Sequence, residues 1–179
     1  LTFIDRMTTQ KLIDMKVGES RLAFILDRKG RIVSDVIVVC EDSQVLIDCD
    51  VTTVQPIIDH FEKYIVTDDV IIQNRTKEMH RLWLLGPSAK ITDSLEQSQF
   101  NLPPKFLGVH GIAIVVGQEE AEQVWTALVD QQVRPVGWNA LNMHRVEELT
   151  PMFRIDFDTA NLPHETSLCD SRVRFDKGC

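Results

Sequence analysis

The sequence has few cysteines, and no two of them stand at metal-binding spacing. Its four cysteines are Cys40, Cys49, Cys169 and Cys179. Zinc sites usually contain C-x-x-C pairs, and a chain of this length held together by disulfides would need more cysteines. The histidines are scattered as well, with no two of them one helical turn apart. We therefore expect no preformed metal site and no disulfide framework.

Long apolar runs are also lacking. No stretch approaches the ~20 apolar residues that a membrane span needs, and the first residues lack the charged-then-apolar pattern of a signal peptide. The formal net charge of -8 disfavours a protein that follows the phosphates of a nucleic acid. We expect an intracellular protein, located in the cytoplasm or, in a eukaryote, in the mitochondrial matrix, without membrane contact or direct nucleic-acid binding.

The common nucleotide and hydrolase motifs are missing too. The run Gly108-Val109-His110-Gly111 is too short for a dinucleotide-binding loop, and neither a G-x-x-x-x-G-K-[ST] nor a G-x-S-x-G motif occurs. With 44% hydrophobic and 26% charged residues, the chain nevertheless has a globular composition.

The sequence does contain a predicted tight turn, followed by an apolar strand that carries an acid. Asp27 and Gly30 occupy the first and fourth positions of a predicted type I turn. The flanking segments 20–26 and 32–40 alternate as paired strands, and 45–49 adds a third, so the sequence predicts an antiparallel meander. Because side chains alternate along a strand, Asp35 shares a face with Ile37 and Val39. An acid there either faces a polar ligand or is an edge-strand charge that deters sheet pairing.

After residue 51 the apolar spacing becomes helical. Val54, Ile57, Ile58, Phe61 and Ile65 form one stripe, which predicts a helix. We expect further strands over 70–73, 79–85 and 112–116, further helices over 89–95, 121–129 and 138–149, and a loop over 98–105. The class is α+β, with antiparallel sheets and packed helices. We expect a discontinuous first domain, 1–50 plus 134–179, and a ferredoxin-like middle domain, 51–133.

Several spaced motifs together resemble one family. They occur along the whole chain in the order seen in the folate-binding YgfZ proteins, relatives of the glycine-cleavage T-protein (GcvT), an aminomethyltransferase. The ending is similar to the first half of the K-G-C-[FY]-x-G-Q-E signature of YgfZ proteins. The motifs are Phe3-Ile4-Asp5-Arg6-Met7-Thr8-Thr9, Leu26-Asp27-Arg28-Lys29-Gly30-Arg31-Ile32, Leu85-Gly86-Pro87-Ser88-Ala89, Arg145-Val146-Glu147, Asp156-Phe157-Asp158, Leu162-Pro163-His164-Glu165 and Phe175-Asp176-Lys177-Gly178-Cys179.

This resemblance implies a tetrahydrofolate-binding protein, using that folate or a one-carbon derivative, that supports iron-sulfur cluster assembly or repair and has links to tRNA modification. Its implied partners are iron-sulfur assembly proteins or client enzymes. It also implies that the family's C-terminal β-barrel domain is absent from this chain. T-proteins carry an Asp-Asp pair where this sequence has Ser34-Asp35, which favours the YgfZ assignment. Two alternatives stay open: a T-protein-like aminomethyltransferase, and a scaffold with neither activity nor folate affinity.

Candidate site residues follow from the chemistry of folate. Asp35 is the candidate for facing the folate amine, and either Glu147 or Glu165 for accepting the paired N–H groups of the pterin. Arginine forks suit the glutamate tail, and the alternative for these acids and arginines is a solvated surface. The arginine candidates are Arg145, Arg172 and Arg174.

The closing Lys177 and Cys179 suggest a redox or cluster-handling thiol, because a nearby ammonium lowers a thiol's pKa. The alternative is an idle thiol. Two departures from the family pattern, Glu148-Leu149 after the R-x-E pair and Arg154 after the later aromatic residue, put the shape of the pocket in question because glycines stand there in T-like proteins.

Overall fold

A computed structural model describes residues 1–86, 98–101, 107 and 109–177. The chain divides into two compact units. The first comprises Leu1–Gln73 and Pro151–Cys179, and the second comprises Asn74–Thr150. Antiparallel sheets and helices occur in both units, so the α+β prediction is confirmed. No helix in the described ranges is long and apolar enough to span a membrane.

The first unit is built on the predicted meander. Strands β1 (Ser20–Leu26), β2 (Ile32–Cys40) and β3 (Val45–Cys49) form an antiparallel sheet in the order β1-β2-β3. Gly30 has φ +78°, a left-handed conformation that glycine adopts without steric cost. The register shifts at the end of β1 next to this turn, as in a bulged hairpin.

Two helices cover one face of this sheet. Helix α1 (Thr2–Met7) contributes Phe3, and α2 (Val54–Glu62) contributes Ile57 and Phe61, to a core shared with apolar residues of β1 and β2. A 3-10 turn, Val51–Thr53, precedes α2. The predicted helix over this region is confirmed, because its apolar residues recur at the helical period and pack on the sheet.

The opposite face of the sheet is covered by the returning chain. Phe24 and Ile32 form a second core with Phe153, Phe157 and Leu168. This segment contains a 3-10 turn, Pro163–Glu165, and a short helix, α5 (Cys169–Arg172). Residues far apart in the sequence thus cover both faces of the β1-β2 strand pair.

The second unit has its own sheet. Strands β4 (Met79–Leu85), β5 (Ser98–Asn101) and β6 (Gly111–Gly117) are antiparallel in the order β4-β6-β5. Helix α3 (Ala121–Asp130) packs Val124 and Leu128 against this sheet, and α4 (Trp138–Glu147) follows. The strands over 79–85 and 112–116 and the helices over 121–129 and 138–149 are confirmed within a few residues at their ends.

Two expectations about local structure were wrong. Residues 70–73 form no strand; instead Val70 and Ile72 pack against the core of the first unit. Residues 98–101, expected as a loop, form β5, because backbone pairing with β6 does not require an alternating apolar pattern. The helix expected over 89–95 lies outside the described residues.

The boundaries of the units also differ from the expected ones. The breaks fall at 73/74 and 150/151, where the sequence suggested 50/51 and 133/134. Residues 51–73 remain with the first unit because α2, Val70 and Ile72 pack on its core. The first unit is discontinuous, since the chain leaves it after Gln73 and returns at Pro151.

Candidate functional site

Strand alternation places Asp35 on the sheet face that the returning chain covers. β1 and β2 are paired so that Phe24 lies opposite Asp35 and Leu22 opposite Ile37. Phe24, Leu22 and Ile37 are all buried. The carboxylate therefore projects from the middle of an apolar face, where an isolated charge would be costly.

Arg172 is the charged partner of Asp35. Its Nε donates a hydrogen bond to Asp35 Oδ1 at 2.7 Å, and the two side chains are 7% and 14% exposed. The Arg172 guanidinium also lies 5.7 Å from the centre of the Phe24 ring and donates from Nη1 to Ser171 Oγ at 2.9 Å. This is a mostly buried ion pair between β2 and α5.

Burial raises the pKa of the Asp35 carboxyl above its ordinary value, and the Arg172 guanidinium acts against that rise. Oδ2 of Asp35 accepts no hydrogen bond from any residue in the described part of the chain. The arrangement thus leaves one acceptor oxygen of a mostly buried carboxylate available to a polar group from outside.

The neighbouring Ser34 belongs to the opposite face. Its hydroxyl lies 2.8 Å from that of Thr53, and both residues are buried in the layer beneath α2. Of the Ser34-Asp35 pair, only Asp35 is therefore presented to the side of Arg172.

The edge-strand explanation of Asp35 is wrong. β2 is the central strand of the sheet, with β1 on one side and β3 on the other. A charge at this position has no exposed strand edge to protect.

Lys177 contacts the N-terminal part of the first unit. Its Nζ donates hydrogen bonds to the backbone carbonyls of Asp5 and Gln10 and lies 3.3 Å from Asp5 Oδ2. The Lys177 ammonium therefore links the last described residues to α1 and to the turn after it. Cys179 lies outside the described residues, whereas Cys40 is buried and Cys49 and Cys169 are partly buried.

Arg145 and Glu147 belong to α4 of the second unit. Arg145 is buried, and its Nε donates to Asn142 Oδ1 at 2.8 Å, while Glu147 is exposed. Two bonds join Arg145 to Thr150: Thr150 N donates to the Arg145 carbonyl at 2.8 Å, and Nη1 of Arg145 donates to the Thr150 carbonyl at 3.4 Å. At least part of the Arg145 guanidinium is thus engaged in ordering the end of α4.

Glu165 and Arg174 make local contacts in the first unit. Glu165 Oε2 accepts hydrogen bonds from Leu162 N at 2.8 Å and from Asn161 Nδ2 at 3.4 Å, and the first of these contacts is the main cause that lowers the pKa of Glu165. Arg174 forms an exposed ion pair with Asp176 at 2.7 Å. Of the predicted site residues, the structure brings together Asp35 and Arg172.

Sequence reasoning missed the role of Arg172 and the groups that hold it. Arg172 was one of three arginine candidates for the glutamate tail, but it contacts the carboxylate of Asp35. Thr9 and Phe24 were not considered, although Thr9 Oγ1 donates to the Arg172 carbonyl at 2.7 Å. A buried acid in an apolar strand does signal that a cation is needed nearby, but it does not say which one. In the described ranges no three His, Cys, Asp or Glu side chains are grouped to hold a metal ion.

Comparison with known proteins identifies the family. The model of the GCVT N-terminal domain matches residues 1–102. A curated aminomethyltransferase of Chloroherpeton thalassium is 22% identical over 191 residues, covering 93% of this chain and 53% of the relative. One of Thermosynechococcus vestitus is 24% identical over 185 residues, covering 92% and 50%.

A solved structure shares the fold. The crystal structure of glycine cleavage system aminomethyltransferase T from Bartonella henselae matches 95% of this chain and 52% of its own, with a TM-score of 0.76 at 18% identity. The chain thus spans about half the length of the relatives it matches. Because the family model covers more than half of its residues, the chain belongs to the GCVT N-terminal domain family.

Proposed function

We propose that the chain is the folate-binding part of a YgfZ-type protein, with tetrahydrofolate or a one-carbon derivative bound at the sheet face that carries Asp35. The observation that supports this most is the free Oδ2 of Asp35: it has no hydrogen-bond partner in the described part of the chain, although its side chain is only 14% exposed. A mostly buried carboxylate oxygen is a strong acceptor for a ligand N–H or amine. Membership of the GCVT family supports the same ligand class.

The other candidate contacts of the folate are part of this proposal. Glu147 is exposed and its carboxylate is a candidate for the pterin N–H groups. Oε1 of Glu165 is the alternative acceptor for the pterin N–H groups, since Oε2 already accepts hydrogen bonds from Leu162 and Asn161. Arg145 is the candidate for the glutamate tail.

The cellular role that we propose is support of iron-sulfur cluster assembly or repair, with a consequence for tRNA modification. It rests on the resemblance of the Lys177-Gly178-Cys179 ending to the YgfZ signature. We further propose that the partners are iron-sulfur assembly proteins or client enzymes, in the cytoplasm or the mitochondrial matrix.

The second candidate is transfer of a one-carbon unit to tetrahydrofolate, as in an aminomethyltransferase. It is favoured by the names of both curated relatives and of the solved structure. The single acid at positions 34 and 35 argues against it, because Ser34 is buried against Thr53 and cannot replace a second carboxylate on the ligand side.

Two measurements on the complete protein separate these functions. Calorimetric titration with tetrahydrofolate tests binding, and incubation with tetrahydrofolate and aminomethyl-loaded H-protein tests transfer through release of ammonia. Binding without ammonia release supports the YgfZ-type proposal, and binding with ammonia release supports the transferase. Absence of both would favour a scaffold role and would overturn the proposal.

A further inference from the structure

We propose that Arg172 is a positioning residue for Asp35: it keeps this carboxylate charged and turned so that Oδ2 faces an amine-bearing ligand. This inference rests on the proposed function, because it concerns the same site. It differs from the role that the sequence suggested, in which Arg172 bound a ligand carboxylate itself.

The contact between the two side chains uses only half of the carboxylate. Nε of Arg172 binds Oδ1 of Asp35, while Nη1 is turned away toward Ser171 Oγ. A guanidinium that bound both oxygens side by side would occupy the whole carboxylate. The one-point contact fixes the orientation of the group and leaves Oδ2 without a partner in the described part of the chain.

The backbone of Arg172 is anchored to the strand pair that carries Asp35. Thr9 Oγ1 donates to the Arg172 carbonyl at 2.7 Å and accepts from Phe24 N at 2.9 Å. Phe24 is in turn the residue opposite Asp35 in the β1-β2 register. Arg172 is thus held by its main chain and its side chain to neighbouring points on one pair of strands.

The surroundings of Asp35 make the charge of Arg172 decisive. The cross-strand neighbour on β1 is Phe24, and the segment that covers this face contributes Phe153, Phe157 and Leu168 to the same core. Arg172 on α5 is the charged group that acts on the Asp35 carboxyl. Without it, burial would favour the protonated acid, which would present an O–H to the ligand instead of a second acceptor.

The first test needs no folate. In the complete, carbon-13-labelled protein, the Asp35 carboxyl is followed by NMR through a pH titration, with Asp35→Asn used to assign its signal. We expect Arg172→Gln to move the midpoint upward by about one pH unit or more. Arg172→Lys, which keeps a charge, should move it less. Arg174→Gln, two residues along the same segment and paired with Asp176 on the surface, is the matched control and should not move it.

The second test measures tetrahydrofolate binding to the wild type, Arg172→Gln and Arg172→Lys between pH 6 and 9. For Arg172→Gln we expect weaker binding at pH 7, by about tenfold for each pH unit by which the midpoint exceeds 7, with recovery as the pH rises. A residue that only stabilised the fold would weaken binding equally at every pH.

The outcomes separate the inference from the function. An unchanged Asp35 midpoint in Arg172→Gln and Arg172→Lys would overturn the role of Arg172, whatever the folate result. A shifted midpoint with no folate binding by any protein, the wild type included, would overturn the proposed function and leave the control of Asp35 by Arg172 standing. If Arg172→Gln does not fold, the comparison of Arg172→Lys with the wild type decides.

Discussion

Lys177 and Asp5 join the two ends of the first unit. The Lys177 ammonium donates to the backbone carbonyl of Asp5 and lies 3.3 Å from its Oδ2, although 172 positions separate the residues. Asp5 Oδ1 also accepts the backbone N–H of Leu12 and of Ile13. Lys177 therefore has a structural role in the first unit.

Replacing Asp5 by asparagine should change how the free energy of unfolding depends on pH. Burial tends to raise the pKa of Asp5, but the Leu12 and Ile13 amides and the Lys177 charge outweigh it, so the pKa lies below the ordinary 3.8. At pH values near this pKa the unfolded chain binds more protons than the folded chain. The stabilisation by the Asp5 carboxylate is therefore present above about pH 4 and is lost as the pH falls further.

We expect Asp5→Asn to lower the free energy of unfolding at pH 7 by about 1–3 kcal/mol. Its stability should also fall less steeply than that of the wild type between pH 4 and 2. Urea denaturation at several pH values measures both effects. Asp42→Asn, an exposed acid in the turn between β2 and β3, is the control. Parallel curves for Asp5→Asn and the wild type would contradict this account.

The thiols should differ in their reactivity. Cys40 is buried, and burial raises the pKa of the Cys49 thiol, so both should react slowly with an alkylating agent. We expect Cys179 in the complete protein to be alkylated faster than either, and Lys177→Ala to slow it, as measured by mass spectrometry of peptides. Lys29→Ala, in the β1-β2 turn, is the charge-matched control. Equal rates at all cysteines would remove the proposed role of the closing thiol.

Local features of the first unit could be predicted from the sequence, and long-range ones could not. The Asp27–Gly30 turn and the alternation around it specify the β1-β2 pairing, because both depend on neighbouring residues. The bond from Arg172 to Asp35 links positions 137 apart, and no local pattern encodes it. The same limit applies to β5, whose pairing with β6 no local pattern predicted.

The candidate site was predicted in part for the same reason. Alternation correctly separated Ser34 from Asp35, since that depends only on the strand period. The central position of β2, which removes the edge-strand explanation, depends on where β3 pairs.

A second acid at position 34 should not be tolerated in this core. Ser34 is fully buried, with its hydroxyl 2.8 Å from that of Thr53. Ser34→Asp would place a charge there without a counter-ion, and we expect it to destabilise the fold by about 3–5 kcal/mol, as measured by chemical denaturation. Ser34→Ala, which only removes the hydroxyl pair, should cost about 1 kcal/mol. Equal stability of Ser34→Asp and the wild type would show that this layer accommodates a carboxylate.

Gly30 should resist substitution because of its backbone conformation. Its φ is +78°, and among the described residues a Cβ added there would meet Leu162 alone, at an ordinary contact distance of 3.7 Å. The cost of Gly30→Ala is therefore backbone strain, and we expect a loss of about 1 kcal/mol in the free energy of unfolding. Gly137→Ala is the control, since its φ is -80° and no atom of the described residues lies within 4 Å of an added Cβ. A loss no larger than that of Gly137→Ala would contradict the argument.

Asp35→Asn tests the site most directly. Asparagine keeps an acceptor oxygen for Nε of Arg172, so the variant should still unfold cooperatively, but it loses the negative charge offered to a ligand amine. Since a hydrogen bond to a charged group contributes about 1.5–3 kcal/mol, we expect the dissociation constant for tetrahydrofolate to rise by about tenfold to a hundredfold. Binding should also lose the pH dependence that titration of Asp35 gives the wild type. Asp59→Asn, exposed on α2, is the control for calorimetry. An unchanged dissociation constant in Asp35→Asn would mean that this carboxylate serves only to neutralise Arg172, and the ligand would have to be sought on another face of the molecule.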